Sequence, residues 1–225
     1  MIKYYEGTIF NVNVDAIVNT VNTSGYMGAG LALEVSLRYP KMYEDYKLKC
    51  KNKIITIGKM DYFKANDITI VNFPTKCDFK MPSRISWVEE GLKNFVFTYS
   101  KHNIKSIAFP KLGSLNGGLN WFEVKILMET YLNNLDIDVY ICLDNLKHAE
   151  GKELDMVTKF NNYNIDELSS SLKLNYKIKN SLQRIKPVSR FYKIGLAEGI
   201  GKQTYKKLFD YFYNSEKHYI QPKLL

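Results

Sequence analysis

Short apolar runs rich in β-branched residues recur along the first 144 residues of the chain. Each run is too short for a helix, and its content of Ile and Val is typical of a buried strand. The runs are Ala16–Asn19, Ile68–Phe73, Ser106–Phe109 and Ile137–Cys142. Apolar residues recur at helical spacing over Gly30–Arg38, Ile85–Tyr99 and Trp121–Leu132. This alternation predicts an α/β fold in which helices cover a central sheet.

Local sequence signals predict where the first of these helices ends and where the second begins. Pro40 follows Gly30–Arg38, and proline interrupts a helix interior. The sequence Ser86-Trp87-Val88-Glu89 is typical of a capping box, in which the serine and the glutamate satisfy amide groups at the helix start. The second helix is therefore predicted to begin at this box.

The regular pattern ends near Asp144. Residues 147–164 are polar and show no clear period, so we interpret them as a linker. Beyond the linker, apolar residues predict a short helix from Tyr176 to Ile185 that ends before Pro187, and two further helices flank Glu198–Lys202. The predicted organisation is an α/β domain over residues 1–146, the linker, and a small all-α region over residues 165–225.

Charge is distributed unevenly between these parts. The whole chain of 225 residues carries a formal charge of +9. Residues 1–150 hold 18 Lys and Arg against 16 Asp and Glu, whereas residues 151–225 hold 14 against 7. A basic region beside a nearly neutral one favours an acidic partner, most often nucleic acid. A lysine-rich segment that only increases solubility is the alternative interpretation.

Several classes of protein are disfavoured. Cys50, Cys77 and Cys142 are widely separated and the histidines are isolated, so neither a disulfide framework nor a metal site is expected. No apolar run approaches the roughly 20 residues that span a bilayer, and the N-terminus lacks the layout of a signal peptide. We expect a cytoplasmic monomer that needs no cofactor and does not associate with membranes.

Three segments that follow predicted strands are suited to binding a phosphorylated sugar. In the first, Gly28 and Gly30 lead directly into a helix, whose first amides favour an anion. In the second, Asn72–Lys76 places a lysine just after a strand. The third, Pro110–Trp121, joins a strand to a helix through a loop whose amides can wrap a diphosphate. Each segment alone is weak evidence, because glycine turns and surface lysines are common.

Together the three segments resemble a macrodomain of the DarG type, the DNA ADP-ribosyl glycohydrolase antitoxin of DarT–DarG systems. The resemblance covers about residues 1–144. It rests on V-N-T-V-N-T-x-G-x-M-G-x-G-x-A-L from Val18 to Leu33, N-F-P-T-K from Asn72 to Lys76, and L-G-x-x-N-G-G-L-x-W from Leu112 to Trp121. It implies a three-layer fold with a mixed central sheet, binding of ADP-ribose, its removal from bases of single-stranded DNA, and a DarT-like toxin as a partner.

The resemblance also implies which residues meet each part of the ligand. Lys76 is the implied catalytic residue and faces the scissile bond together with Thr75, while Thr8 and Ile9 lie beside the adenine. The residues implied for the ribose and phosphate side are Thr20, Val21, Asn22, Gly28, Gly30, Leu31, Ala32, Leu33 and Glu34. Those implied for the diphosphate loop are Gly113, Ser114, Leu115, Asn116, Gly117 and Gly118.

Three positions depart from the usual pattern of this family. Thr8 stands where relatives usually carry an aspartate that accepts from the adenine amino group. Ala29 stands where they often carry a lysine, and Leu115 replaces a glycine of the diphosphate loop. These departures predict a lower affinity or an altered selection of adenine, not a loss of binding.

Lys76 separates the hypotheses about activity. A desolvated lysine loses its proton more readily and can attack the anomeric carbon of the distal ribose, with a Schiff base as an intermediate. Asn22 is expected to hold the hydroxyls of that ribose. The glycine loop lacks the aspartate of related protein-directed hydrolases, which favours a DNA substrate. The alternatives are an ADP-ribose reader without activity and a hydrolase acting on ADP-ribosylated protein.

The basic region contains one further motif. Residues 197–208 resemble the hairpin of a helix-hairpin-helix motif, which presents backbone amides to a nucleic-acid phosphate. Gly199, Gly201, Lys202 and Lys206 are therefore candidate nucleic-acid contacts. A glycine turn between two packed helices is one alternative interpretation. A docking surface for the toxin, which the resemblance implies for this region, is another.

Overall fold

The computed structural model of the protein describes residues 1–66 and 68–215. Residues 216–225 of the predicted all-α region therefore lie outside the described residues. The chain divides into two compact units between Asn145 and Leu146. All strands of the described chain lie in the first unit. No helix within the described ranges is long and apolar enough to cross a membrane.

A six-stranded sheet forms the centre of the first unit. Its strands are β1 (Ile2–Tyr5), β2 (Ala16–Asn22), β3 (Asp61–Lys64), β4 (Thr69–Lys76), β5 (Ser106–Pro110) and β6 (Asp138–Cys142). The order across the sheet is β1-β6-β5-β2-β4-β3. Only β3 runs antiparallel to its neighbour, and every other pair of neighbours is parallel. The mixed sheet is thus confirmed.

The four predicted strands correspond to β2, β4, β5 and β6, whereas β1 and β3 were not predicted. Both unpredicted strands lie at the edges of the sheet. Their side chains are half-buried or exposed, so their sequences, Ile-Lys-Tyr-Tyr and Asp-Tyr-Phe-Lys, contain no continuous apolar run. Edge strands often carry polar residues in this way, which hides them from a search for buried runs.

Two helices cover each face of the sheet. They are α1 (Gly30–Arg38), α2 (Pro40–Lys51), α3 (Ile85–Thr98) and α4 (Trp121–Leu132). In β4, Val71 and Phe73 pack with α3 and α4 in one core cluster, while Ile70 packs with α1 and α2 in another. This alternation follows from the two-residue period of a strand. The three-layer α/β architecture is confirmed.

The capping-box prediction for α3 is wrong. The helix begins at Ile85, after Arg84, and Ser86 lies inside its first turn. The backbone of Arg84 is extended, and its side chain makes no capping hydrogen bond. Instead the guanidinium of Arg84 lies over the ring of Trp87, 4.8 Å from the centroid. The helix therefore begins without a side-chain cap, and the contact between Arg84 and Trp87 lies at its first turn.

The second unit is helical from Gly151 onward, so the predicted linker over residues 147–164 is wrong for most of its length. Its helices are α5 (Gly151–Asn162), α6 (Ile165–Ser171), α7 (Tyr176–Ile185), a 3-10 helix (Phe191–Leu196) and α8 (Lys202–Tyr213). Met156, Val157 and Phe160 form a narrow buried stripe on α5. The ring of Phe160 packs edge to face against Phe212, with centroids 5.7 Å apart. Three buried apolar residues, with Leu154 exposed on another side, gave too weak a pattern to predict this helix.

A buried ion pair also ties α5 into the second unit. Nε of Arg190 lies 3.0 and 2.9 Å from the two carboxylate oxygens of Glu153. The backbone amide of Phe191 donates to the same carboxylate at 2.8 Å. Because the arginine is almost fully buried, removing either partner would leave an uncompensated charge. The first residue of the 3-10 helix is therefore held directly against α5.

We predict that Gly91→Ala destabilises the first unit, because α3 approaches β4 closely at this glycine. A Cβ at Gly91 would lie 2.4 Å from the ring of Phe73. Overpacking costs about 1–3 kcal/mol, which outweighs the roughly 1 kcal/mol that alanine gains over glycine in a helix. Urea unfolding followed by tryptophan fluorescence reports on this unit alone, since both tryptophans, Trp87 and Trp121, lie in it. The control is Phe97→Ala, at a residue of the same helix that is 72% exposed. An equal decrease in the free energy of unfolding in both variants would contradict the prediction.

Candidate functional site

The three predicted loops lie at one edge of the sheet. Strands β5, β2 and β4 are neighbours and run parallel, so their carboxyl ends meet there. In the register of β2 and β4, Asn22 pairs with Lys76 after a local irregularity. The amide of Thr23 then donates to the carbonyl of Lys76 at 2.9 Å. The first two candidate segments are thereby joined at the end of the sheet.

Asn116 connects the third loop to both of the others. Nζ of Lys76 donates a hydrogen bond to the backbone carbonyl of Asn116. The side-chain amide nitrogen of Asn116 lies against Gly30, where a Cβ would approach it to 2.4 Å. Gly30 also has a φ of +54°, which glycine adopts without strain. The structure therefore brings together residues that are 40 to 86 positions apart in the sequence.

Lys76 is the titratable group at this meeting point. Its side chain is half-buried at the end of β4, and desolvation lowers the pKa of the ammonium below its ordinary value of 10.5. The accepting carbonyl of Asn116 is neutral, and residues 111–118 contain no Asp or Glu. The lysine consequently holds a larger fraction of free amine at neutral pH than an exposed lysine does.

The side-chain amide of Asn22 hydrogen-bonds to other residues of the first loop. Its Nδ2 donates to the carbonyl of Tyr26 at 2.6 Å, and its Oδ1 accepts from the amide and hydroxyl of Ser24 at 3.0 and 2.7 Å. The hydroxyl of Tyr46 donates to both the carbonyl and Oδ1 of Asn22. The amide thus fixes the course of the chain between β2 and α1. Direct contact of Asn22 with a sugar hydroxyl stays a prediction.

The third loop is folded tightly on its glycines. A Cβ at Gly117 would lie 2.0 Å from the carbonyl oxygen of Gly113, which itself has a φ of +63°. The amide of Leu119 donates to the same carbonyl at 3.0 Å. Ser83, which sequence reasoning missed, donates its amide to the carbonyl of Gly117 at 2.9 Å. Only a residue without a side chain fits at position 117.

Thr8 and Ile9, the residues predicted beside the adenine, lie at the start of a 3-10 helix over Ile9–Asn11. Oγ1 of Thr8 accepts from the amide of Phe10 at 3.3 Å and so caps this helix. Ile9 is 2% exposed and belongs to the core, so a ligand could meet only its backbone. Glu34 binds Arg38 at 2.6 Å, and the guanidinium of Arg38 lies 4.0 Å from the centroid of Phe10.

The remaining predicted residues differ in exposure. Half-buried residues are Thr20, Gly28, Leu31, Ala32 and Ser114. Buried residues are Val21, Leu33 and Thr75. Exposed residues are Leu115, Asn116 and Gly118. The candidate contacts of the basic region, Gly199, Gly201, Lys202 and Lys206, lie in the second unit.

An aromatic pair beside the site was also missed by sequence reasoning. The rings of Tyr26 and Phe79 lie 4.5 Å apart and both remain exposed. Tyr26 belongs to the loop before α1, and Phe79 follows Lys76 by three residues. Exposed aromatic side chains in polar loops carry no periodic signal. They form one exposed aromatic surface between the loop before α1 and the segment after β4.

A chain of buried polar groups lies beneath the first two loops and was likewise missed. Nδ2 of Asn19 donates to Oδ1 of Asn72, and Nδ2 of Asn72 donates to a carboxylate oxygen of Asp61, each at 2.9 Å. Lys49 binds the other carboxylate oxygen of Asp61 at 2.7 Å. These groups link β2, β4, β3 and α2 in that order.

Comparisons of sequence extend over the first unit. The Macro domain family model matches residues 18–128. Over 146 residues the chain is 38% identical to a DNA ADP-ribosyl glycohydrolase of Mycobacterium tuberculosis. The alignment covers 63% of this chain and 42% of that protein. The chain thus spans about two fifths of the length of the curated relatives it matches.

Solved structures show the same likeness. The macrodomain of Mycobacterium tuberculosis DarG aligns with a TM-score of 0.62 at 38% identity, covering 64% of this chain and 97% of that one. Thermosipho africanus DarTG, solved in complex with ADP-ribose, aligns with a TM-score of 0.61 at 36% identity, covering 68% of this chain and 44% of that one. The first alignment includes nearly all of a DarG macrodomain.

We predict that Gly117→Ala lowers the affinity for ADP-ribose at least tenfold, because the new Cβ would force the third loop away from the carbonyl of Gly113. Isothermal titration calorimetry with free ADP-ribose measures the effect. Phe122→Ala is the control, because this residue follows the loop in the first turn of α4 and is 69% exposed. Equal affinities for the Gly117 variant and the unaltered protein would contradict the prediction.

Proposed function

Because the chain belongs to the macrodomain family, we propose that it removes ADP-ribose from ADP-ribosylated DNA by cleaving the bond between the distal ribose and the base. The observation that carries the proposal is the position of Lys76, a desolvated lysine at the point where all three candidate loops meet. The relatives named DNA ADP-ribosyl glycohydrolase support the choice of DNA as the substrate. The proposed catalytic unit is a monomer that acts on single-stranded DNA.

The diphosphate and the proximal ribose would lie between the first and third loops. Helix α1 begins at Gly30 after Ala29, which supplies no side-chain cap, so amides of its first turn remain open to an anion. The compact turn from Gly113 to Gly118 presents further backbone amides on the other side. Neutral amides and a helix dipole suit a ligand that carries two phosphate charges.

Lys76 acts as the nucleophile in the proposed reaction. Its free amine forms a bond to the anomeric carbon of the distal ribose, and the bond from that carbon to the base nitrogen breaks with its electron pair going to the base. The base takes up a proton from water, and the lysine adduct loses one as it forms. Opening of the sugar gives a Schiff base, which water hydrolyses to release ADP-ribose and the free lysine.

A reader that only binds ADP-ribose is the competing function. Such a protein has no need of an amine with a lowered pKa at the distal ribose, so Lys76 favours the enzyme. A protein-directed hydrolase is disfavoured because the third loop supplies no carboxylate to activate water. The biological role we propose is the reversal of a modification made by a DarT-like transferase.

We predict that Lys76→Ala and Lys76→Arg both lower the rate of ADP-ribose release from a modified single-stranded oligonucleotide at least a hundredfold. Arginine keeps the charge but does not lose its proton, so it cannot attack the sugar. Calorimetry should find ADP-ribose binding within about threefold of the unaltered protein. Borohydride should trap an adduct on Lys76 during turnover. Full activity of Lys76→Arg without any adduct would show that charge alone is required and would sink the proposed mechanism.

The lowered pKa of Lys76 also predicts the pH dependence of the reaction. Only the neutral amine attacks, so the rate should rise with pH and level off once the pH exceeds the lowered pKa of Lys76. The plateau should therefore begin below pH 10.5, the ordinary value for lysine. Single-turnover rates between pH 6 and pH 10 measure it. A rate that still rises tenfold per pH unit at pH 10 would mean that burial does not activate the lysine.

A further inference from the structure

The second unit carries a dense group of basic residues. Residues 171–207 contain ten Lys and Arg but a single acidic residue, Glu198. Arg190 and Lys179 bind carboxylates elsewhere in the unit, since Arg190 pairs with Glu153 and Lys179 with Asp166. Most of the others lie on the surface. Among the others, Lys186 serves the core of the unit, since its Nζ donates to the carbonyl of Tyr163 at 2.6 Å and lies over the ring of Phe160.

The hairpin between the 3-10 helix and α8 rests on one flank of α7. A Cβ at Gly199, whose φ is +83°, would lie 2.9 Å from Oγ of Ser181 and 3.9 Å from side-chain carbons of Lys177. Lys177, Ser181 and Arg184 stand at positions i, i+4 and i+7 and therefore share one stripe of α7. Because the hairpin lies on the middle residue of this stripe, Lys177 and Arg184 stand on either side of it.

Helix α8 adds further cations next to the same hairpin. Lys202 is its first residue and Lys206 follows one turn later, so both face the same side of the helix. No atom of residues 1–66 or 68–215 lies within 4 Å of a Cβ at Gly201, so these residues leave the hairpin backbone open. We call the group of Lys177, Arg184, Gly199, Gly201, Lys202 and Lys206 the hairpin surface.

Exposed aromatic residues accompany these cations. Tyr176, which precedes Lys177, is 76% exposed, and Tyr192 of the 3-10 helix is 46% exposed. Other aromatic residues of the unit, including Phe160, Phe191 and Phe209, are buried in its core. Proteins that bind single-stranded nucleic acid combine two features. Cationic side chains contact the phosphates, and exposed aromatic rings stack with the bases.

We propose that the hairpin surface binds single-stranded DNA without regard to sequence, independently of ADP-ribose. The proposal rests on the proposed function only in naming DNA as the nucleic acid. The same charge disfavours the toxin as the occupant, because an enzyme that modifies DNA must itself present a basic surface to the phosphates. Two basic surfaces repel each other.

The test uses the full-length chain and an unmodified, fluorescein-labelled single-stranded oligonucleotide. Fluorescence anisotropy measures affinity over a range of salt concentrations for the unaltered protein and for K177Q/R184Q/K206Q. The matched control is K64Q/K101Q/K105Q, three exposed lysines of the first unit at the edge of the sheet where β4 and β5 begin. Circular dichroism checks that each variant is folded. Release of ADP-ribose from a short modified oligonucleotide is measured in parallel.

The hairpin variant should bind at least tenfold more weakly at low salt, and its log–log salt slope should be shallower by about 2, since each lost phosphate contact contributes about 0.7 on a single strand. The control variant should bind like the unaltered protein, and so should Lys76→Ala. Equal affinity for the hairpin variant and the unaltered protein would overturn the proposal, as would an equal loss in the control. A hairpin variant that kept DNA binding but lost binding to a DarT-like transferase would also overturn the proposal. The hairpin surface would then be a binding site for that protein.

Stacking is tested separately by Tyr176→Ala. This variant should lose about tenfold in affinity for the single strand while its salt slope stays unchanged, because stacking does not release counterions. Phe97→Ala removes an equally exposed ring from the first unit and should leave affinity unchanged. A single-strand affinity unaffected by Tyr176→Ala would overturn the stacking part of the proposal. ADP-ribose release that persists in a variant without DNA binding would show that the two functions fail separately.

Discussion

A hydrogen bond between two buried amides sets the alignment on which the site depends. Asn19 and Asn72 are register partners in β2 and β4, and their side chains join at 2.9 Å in the core. A slip of one residue would send every side chain of either strand to the opposite face and leave both amides unpaired, which is costly in an apolar environment. The alignment carries forward to Asn22 and Lys76 at the strand ends.

The properties of Lys76 follow from that alignment. Parallel pairing brings the loops after β2, β4 and β5 to one edge, where the carbonyl of Asn116 accepts from Nζ of Lys76. Partial burial at this contact desolvates the ammonium and lowers its pKa. Asn22 contributes by holding the first loop through its side-chain amide. The reactivity we propose is therefore a property of how three loops meet, and the lysine alone would not have it.

In our proposals the two units bind phosphate by opposite electrostatic means. The first would bind one diphosphate through neutral backbone amides of tight glycine turns. The second would bind a polymer through cationic side chains such as Lys177 and Lys206 beside exposed rings, a combination that tolerates any sequence of bases. Shape-matched amides give specificity for a small ligand, whereas dispersed charge gives salt-dependent attachment to a polymer.

The amino-acid sequence by itself determined the strands β2, β4, β5 and β6, the helices α1 and α4, and the three glycine and lysine segments. These features are local, because a buried strand or an amphipathic helix leaves its period in consecutive residues. The edge strands β1 and β3, the start of α3 and the helix α5 were decided by packing, which can bury a few residues among many polar ones. Only the tertiary structure decided that Asn116 meets Lys76, that Ser83 supports Gly117 and that Gly199 rests on Ser181. Each of these contacts joins residues at least 18 positions apart, and no local pattern records which distant partner a side chain will find.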